Sequence, residues 1–132
     1  MYLLDTNICI YIISKKSTKI IDRFKEAKLE GKIGISAITY AELQYGVSKS
    51  IRQTENQVAL AQFLIPLITY EFDEKAGIEF GQIKALLEKK DTVIGPYDML
   101  IAGHAISLDA TLITSNEGEF RRIEKLKVEN WL

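Results

Sequence analysis

The sequence is poor in cysteine and proline and has no excess of either charge. Its 132 residues include one cysteine, two prolines and one histidine, and the formal net charge is −1. Because there is only one thiol, an intrachain disulfide is excluded and a reducing compartment fits best. Cys9 lies between Ile8 and Ile10 and is expected to be a buried structural thiol. Because global charge governs non-specific association, any site for a polyanion must be local.

Long apolar runs are also absent, and none approaches the length that spans a membrane. The first residues, Met1–Asp5, lack a basic segment and reach a carboxylate too early for a secretory signal. We therefore expect a soluble, cytoplasmic protein. Internal repeats, low-complexity tracts and linkers are missing as well, so residues 1–132 are expected to form one domain, which is large enough to bury a core.

What the chain contains is an alternation of short apolar runs with helical patterns. Strands are predicted at Tyr2–Leu4, Ile33–Ile35, Leu67–Tyr70, Ala110–Thr114 and around Val128. Helices are predicted at Ile8–Ile13, Thr18–Glu30, Ala37–Tyr45, Thr54–Leu64, Glu74–Glu88 and Pro96–Leu108. Gly31 and Gly46 are expected to end the second and third of these helices. The alternation predicts an α/β fold, with a parallel sheet that is covered on both faces.

Acidic residues occur where strands give way to helices or on the apolar stripe of a short helix. They are Asp5, Glu42, Asp98 and Glu119. The carboxyl ends of parallel strands converge on one crevice, so acids that are distant in sequence can meet there. Crowded carboxylates repel one another, and a hard cation such as Mg²⁺ removes that cost. The pattern therefore favours a metal-dependent hydrolase.

Each acid alone also has an ordinary structural interpretation. Asp5 suits a helix N-cap, and Asp98 gains about 0.3 to 1 kcal/mol from the helix dipole. Glu42 shares the apolar stripe of its helix with Ile38 and Tyr45. A glutamate that is buried there needs a partner, whereas one at the edge of the stripe can extend its head group into water. Four acids at one edge of one sheet nevertheless favour a functional cluster.

Four segments then carry a resemblance to a known family. They are Leu4–Asn7 (LDTN), Ser36–Gly46 (SAITYAELQYG), Gly95–Ala102 (GPYDMLIA) and Leu112–Phe120 (LITSNEGEF). In this order they resemble the successive motifs of PIN-domain ribonucleases, and most closely the VapC toxins of toxin–antitoxin pairs. The closing Glu129–Trp131 resembles the usual end of that group, so the resemblance covers nearly the whole chain.

The resemblance implies a three-layer α/β/α sandwich with a mainly parallel sheet, whose acidic cluster binds Mg²⁺ or Mn²⁺ and cleaves RNA. By position, Asp5 and Asp98 would be the metal ligands, and Glu42 and Glu119 would complete the catalytic set. Many PIN domains have Asp where Asn116 stands, whereas the resembled subgroup has Asn there and an acid immediately before the Phe. The choice between Glu119 and Glu117, and the number of metal ions, stay open.

Neighbouring residues receive supporting roles in this hypothesis. Thr6, Thr114 and Asn116 would orient the carboxylates, although threonines also serve as helix caps and strand ends. The cations expected to bind the RNA backbone are Lys15, Lys16 and Arg121, although most charged pairs are simply solvated. His104 lies six residues after Asp98 on the same helix and is expected to face away, as a structural histidine with its hydrogen bonds satisfied.

The resemblance also implies partners: a VapB-like antitoxin, a structured RNA with tRNA favoured, and a second copy of the chain in a homodimer. Two alternatives remain. A phosphate-receiving signalling domain needs an acceptor Asp after a central strand, but the third strand is followed by Glu71 and the fourth ends in Thr114–Asn116. A catalytically silent, partner-binding regulator would most simply have lost one of the acids, and all four are present.

Overall fold

The central strand of the sheet is the first strand of the chain. The structure, a computed structural model, describes all residues from Met1 to Leu132. Five strands pair in the order β3-β2-β1-β4-β5, and every pair is parallel. The strands are β1 (Tyr2–Leu4), β2 (Ile33–Ser36), β3 (Ile68–Tyr70), β4 (Thr111–Ile113) and β5 (Lys127–Glu129). The predicted α/β class and the parallel pairing are confirmed.

Seven helices connect or follow these strands. They are α1 (Thr6–Ile13), α2 (Thr18–Glu30), α3 (Ala37–Ser48), α4 (Gln53–Leu64), α5 (Glu74–Lys89), α6 (Pro96–Ser107) and α7 (Glu117–Phe120). Since β1 pairs with β2 on one side and with β4 on the other, the strand order reverses at β1. In open α/β sheets a crevice forms at such a reversal, outside the carboxyl ends of the strands. Asp5 follows β1 at that place.

The two faces of the sheet carry separate hydrophobic clusters. Alternate side chains of a strand point to opposite faces, so Leu4 enters one cluster and Leu3 the other. The first cluster contains Ile20 and Leu60 from α2 and α4, and the second contains Ile101 from α6. The sheet thus lies between two helical layers, which confirms the expected three-layer sandwich.

Close packing of α5 against α6 fixes the helix that carries Asp98. A Cβ placed on Gly103 would lie 2.8 Å from the backbone nitrogen of Phe80 and 3.2 Å from the carbonyl oxygen of Ala76. A larger residue at position 103 would therefore push the two helices apart. Glycine is required here because of the close approach and not because of an unusual backbone conformation.

The prediction that Gly46 ends the third helix is wrong. Helix α3 continues to Ser48, and the backbone N–H of Lys49 donates to the carbonyl of Tyr45 (3.0 Å). Glycine ends a helix mainly by adopting positive φ, and no glycine in this chain does so.

Cys9 is fully buried, as predicted. None of the helices combines the length and the apolar character needed to cross a membrane.

Candidate active site

Asp5 lies directly after β1 and begins α1. Its Oδ1 accepts a hydrogen bond from the backbone N–H of Ile8 (2.9 Å), so the residue is the N-cap that its sequence context predicts. The side chain is nevertheless buried, with 4% of the residue exposed. Burial raises the pKa of Asp5, the charge of Glu42 raises it further, and hydrogen bonds from Thr114 and Ile8 oppose the rise. A cap alone does not require such burial.

Thr6 links α1 to the acid on α3. Its hydroxyl donates to Oε1 of Glu42 at 2.6 Å and lies 3.4 Å from the hydroxyl of Thr39. This contact fits the orienting role predicted for Thr6. Glu42 is half-buried at the rim of α3, whereas Tyr45 is 65% exposed. The expected apolar stripe through Glu42 is therefore wrong at Tyr45, whose side chain is exposed.

Asp98 lies in the first turn of α6, and its carboxyl group is perturbed by its surroundings. Burial raises its pKa to about 6, and the charges of Glu119, Asp5 and Glu42 contribute, in that order. The four acids therefore lie close enough to interact, as the sequence predicted. None of them takes part in any of the ion pairs of the chain. The cluster is an uncompensated concentration of negative charge.

Glu119, and not Glu117, faces this cluster. Oε2 of Glu119 accepts a hydrogen bond from Nδ2 of Asn116 (3.0 Å). Glu117 accepts instead from Arg121 at 2.8 Å and from Asn130 at 3.1 Å, and these bonds lower its pKa. The geometry thus favours Glu119 as the fourth acid and Asn116 as the group that orients it.

Thr114 and the three predicted RNA-binding cations lie in different environments. Thr114 is fully buried at the end of β4, and its Oγ1 accepts from the backbone N–H of Asn116 (2.9 Å). Lys15 is exposed, makes no ion pair and has positive φ (54°), while Lys16 lies over the ring of Tyr11. Arg121 is paired with Glu117, so it is less available to a phosphate than predicted.

His104 differs in part from the expectation. It is 1% exposed, and its Nδ1 lies 2.7 Å from Oγ of Ser36, so it is structural and lies away from the acids. Its Nε2, however, is buried and has no hydrogen-bond partner of good geometry, although the backbone of Glu71 is close enough to raise the pKa of the ring; the prediction that its hydrogen bonds are satisfied is confirmed only for Nδ1. Burial lowers the pKa of His104, although the charge of Asp73 opposes this.

The donor set fits a hard divalent cation that keeps part of its water shell. No three His, Cys, Asp or Glu side chains converge closely enough to hold a metal ion between them. Mg²⁺ usually takes one or two protein carboxylates and retains several waters, so Asp5 and Asp98 meet its requirement. Burial is the main cause of the raised pKa values of Asp5 and Asp98, and repulsion from neighbouring carboxylates adds to it; a bound cation would oppose both by favouring the ionised carboxylates.

Comparisons with known proteins agree with this fold. The family model described as "PIN domain" matches residues 2–126. "Ribonuclease VapC2" of Rickettsia felis is 44% identical over 131 residues, 99% of this chain and 98% of that protein. "tRNA(fMet)-specific endonuclease VapC" of Salmonella typhimurium is 40% identical over 130 residues, 98% of this chain and 97% of that protein.

Solved structures are similar along the whole chain. VapBC2 from Rickettsia felis, bound to a DNA fragment from the promoter, superposes with a TM-score of 0.95 and covers 99% of this chain and 98% of that one, at 44% identity. DNA-bound VapBC from Salmonella typhimurium superposes with a TM-score of 0.93 at 40% identity, and the match covers 99% of this chain and 98% of that one. The chain belongs to the PIN-domain family, and within it to the VapC-type proteins, as the motifs predicted.

The raised pKa of Asp98 predicts how pH affects the metal-free protein. The folded state binds this proton up to about pH 6 and the unfolded state only to about pH 4, so the group destabilises the fold as pH rises through that window. In EDTA, Asp98→Asn should therefore be more stable than wild type at pH 7.5, by about 1 to 2 kcal/mol after solvent screening, with little advantage at pH 4. Thermal unfolding at both pH values measures this difference, and an equal advantage at both would contradict the assignment.

Proposed function

We propose that this chain is a divalent-metal-dependent endoribonuclease and the toxin of a toxin–antitoxin pair. The observation that carries the proposal is the cluster of four carboxylates at the strand reversal, where no protein cation balances their charge. The relatives named as ribonucleases and as a tRNA endonuclease support it. We propose further that residues 1–132 act as one nuclease domain in the cytoplasm.

Asp5 and Asp98 are the proposed metal ligands, and the neighbouring residues hold the other two acids in place. Thr6 fixes the direction of the Glu42 carboxylate by its hydrogen bond, and Asn116 does the same for Glu119. A bound Mg²⁺ or Mn²⁺ would supply an acidified water and stabilise the charge that develops on the phosphate. Asp5 and Asp98 would hold the metal beside the phosphodiester, and no general base beyond the metal-bound water is required in this proposal.

The substrate in this proposal is a structured RNA, with tRNA favoured. The Salmonella relative is named as specific for tRNA(fMet), which supports the preference. Because the net charge is −1, RNA must be held by local cations such as Lys15 and Lys16. Unpaired bases of loops are the accessible ones, so shape should matter as much as sequence.

An antitoxin is the proposed protein partner, and a homodimer is the proposed assembly. The similar structures are described as VapBC from two organisms, which supports a VapB-like partner. An apolar groove of about 270 Å³ adjoins Glu42 between α1, α3 and α4 and is lined by Ile10, Leu43, Val47 and Leu60 among others. A partner segment in this groove would lie beside the acidic cluster and block it.

The test is to incubate the purified, antitoxin-free chain with total RNA in EDTA, Mg²⁺ or Mn²⁺ and to map the new ends by sequencing. We expect no cleavage in EDTA, and with metal we expect cleavage of a tRNA at one or a few positions. Indiscriminate degradation of all RNAs, or cleavage of DNA alone, would overturn the substrate proposal. Cleavage that persists in EDTA would overturn the metal dependence.

A further inference from the structure

An exposed aromatic and basic pair continues α3 away from the acidic cluster. Tyr45 and Lys49 follow Glu42 by three and seven residues, a spacing that places all three on one side of the helix. At a rise of 1.5 Å per residue, Lys49 lies about 10 Å along the helix from Glu42. Tyr45 is 65% exposed, and Nζ of Lys49 lies 4.8 Å from the centre of its ring.

The charge of Lys49 is uncompensated within the protein. Lys49 takes part in no ion pair, whereas Arg121, a cation predicted to bind RNA, is bound to Glu117. An ammonium over an aromatic face gains only about 0.5 to 1 kcal/mol at an exposed site, so the contact does not prevent Lys49 from binding a phosphate. Tyr45 is in turn an open aromatic surface at the rim of the site.

We propose that Tyr45 and Lys49 form a subsite for the RNA strand that enters the acidic cluster. The ring of Tyr45 stacks on an unpaired base, and the ammonium of Lys49 pairs with a phosphate next to it. Stacking on aromatic side chains and pairing with cations are the two means by which proteins hold single-stranded RNA. The subsite deepens the proposed function and rests on it.

The order of groups along α3 also gives the strand a direction of approach. The acids repel the RNA backbone unless a metal is bound, so the strand needs an attractive contact outside the cluster. Tyr45 and Lys49 supply it one and two helical turns from Glu42, on the same side of the helix. Nucleotides on one side of the scissile phosphate would therefore contribute to specificity through stacking.

Binding of a fluorescein-labelled RNA stem-loop with an unpaired loop tests the proposal. All variants are made in an Asp98→Asn background so that the probe stays intact, and fluorescence anisotropy is measured in Mg²⁺. Tyr45→Ala should raise Kd roughly 5- to 100-fold, whereas Tyr45→Phe should bind as the parent does, because stacking needs only the ring. Lys49→Gln should weaken binding. It should also reduce the salt slope, which is the slope of log Kd against the logarithm of the salt concentration, by about 0.7, because one phosphate contact is lost.

The chain offers two matched controls. Tyr40 is a second exposed tyrosine of α3, but it lies about 200° around the helix from Glu42. Lys28 also lies 4.8 Å from an aromatic ring centre, that of Phe24, but on α2. Tyr40→Ala and Lys28→Gln should leave Kd and the salt slope unchanged. Thermal unfolding of every variant should match the parent, because all four side chains are exposed.

The outcomes separate this inference from the function on which it rests. If the wild-type chain cleaves RNA while Tyr45→Ala and Lys49→Gln bind the stem-loop as the parent does, the subsite is wrong and the proposed function stands. If the wild-type chain neither cleaves nor binds RNA, both fall. If a co-expressed antitoxin no longer co-purifies with the two variants while both still bind RNA, this surface is a protein interface and the subsite is overturned.

Discussion

Asp5→Asn and Asp98→Asn should each reduce RNA cleavage by about three orders of magnitude or more while leaving the fold intact. A metal ligand contributes several kcal/mol to stabilising the transition state, and each 1.36 kcal/mol is a factor of ten in rate. Asparagine is also a good N-cap, so Asp5→Asn should keep the hydrogen bond from Ile8. Single-turnover cleavage at saturating Mg²⁺ measures the effect.

Glu117→Gln is the matched control for these variants. Glu117 lies two residues from Glu119 on the same short helix, but it is bound to Arg121 and Asn130 and does not face the cluster. Cleavage by Glu117→Gln should therefore stay close to wild type, whereas Glu119→Gln should lose activity. Near wild-type cleavage by either aspartate variant would show that the assigned ligands are wrong.

The sequence predicted the fold because the relevant signals are local. Strands β1 to β4 are short, largely apolar runs, and Ser17 and Ser36 cap α2 and α3 where hydroxyl residues precede helical patterns. Alternation of the two element types then requires a parallel sheet. The meeting of Asp5 and Asp98 follows from that topology, since both lie at the carboxyl edge.

Other features of the site depend on contacts between distant residues. Glu117 and Glu119 are equivalent by sequence spacing, and the choice between them is made by Asn116 and by Asn130, which lies near the end of the chain. Helical periodicity places His104 away from the acids. It does not reveal that Ser36, 68 residues away, is its only side-chain hydrogen-bond partner.

The exposure of Tyr45 is a third feature that local pattern did not reveal. Spacing placed Tyr45 on the same side of α3 as Glu42, which is correct, but the apolar character of the ring suggested burial. Whether that side of the helix is covered depends on contacts with other elements of the fold, which the spacing of residues along α3 does not show.

Expression of this chain alone should arrest bacterial growth, and expression of the Asp98→Asn variant should not. The four acids form a cluster without a cationic partner, so a cationic side chain of an antitoxin would gain a strong pairing there and silence the site. Without that partner the nuclease acts on cellular RNA.

Colony counts after induction and RNA electrophoresis from the same cultures measure this result. Because the wild-type nuclease should be about 10³-fold more active than its Asp98→Asn variant, we expect it to reduce the number of colonies at least about a hundredfold. We also expect discrete RNA fragments in the wild-type cultures. Glu117→Gln should remain toxic, which controls for expression and folding. Co-expression of a VapB-like antitoxin should restore growth to the wild-type chain. Equal tolerance of the wild-type chain and of Asp98→Asn would rule out the toxin role and would leave the nuclease assignment to the cleavage assay.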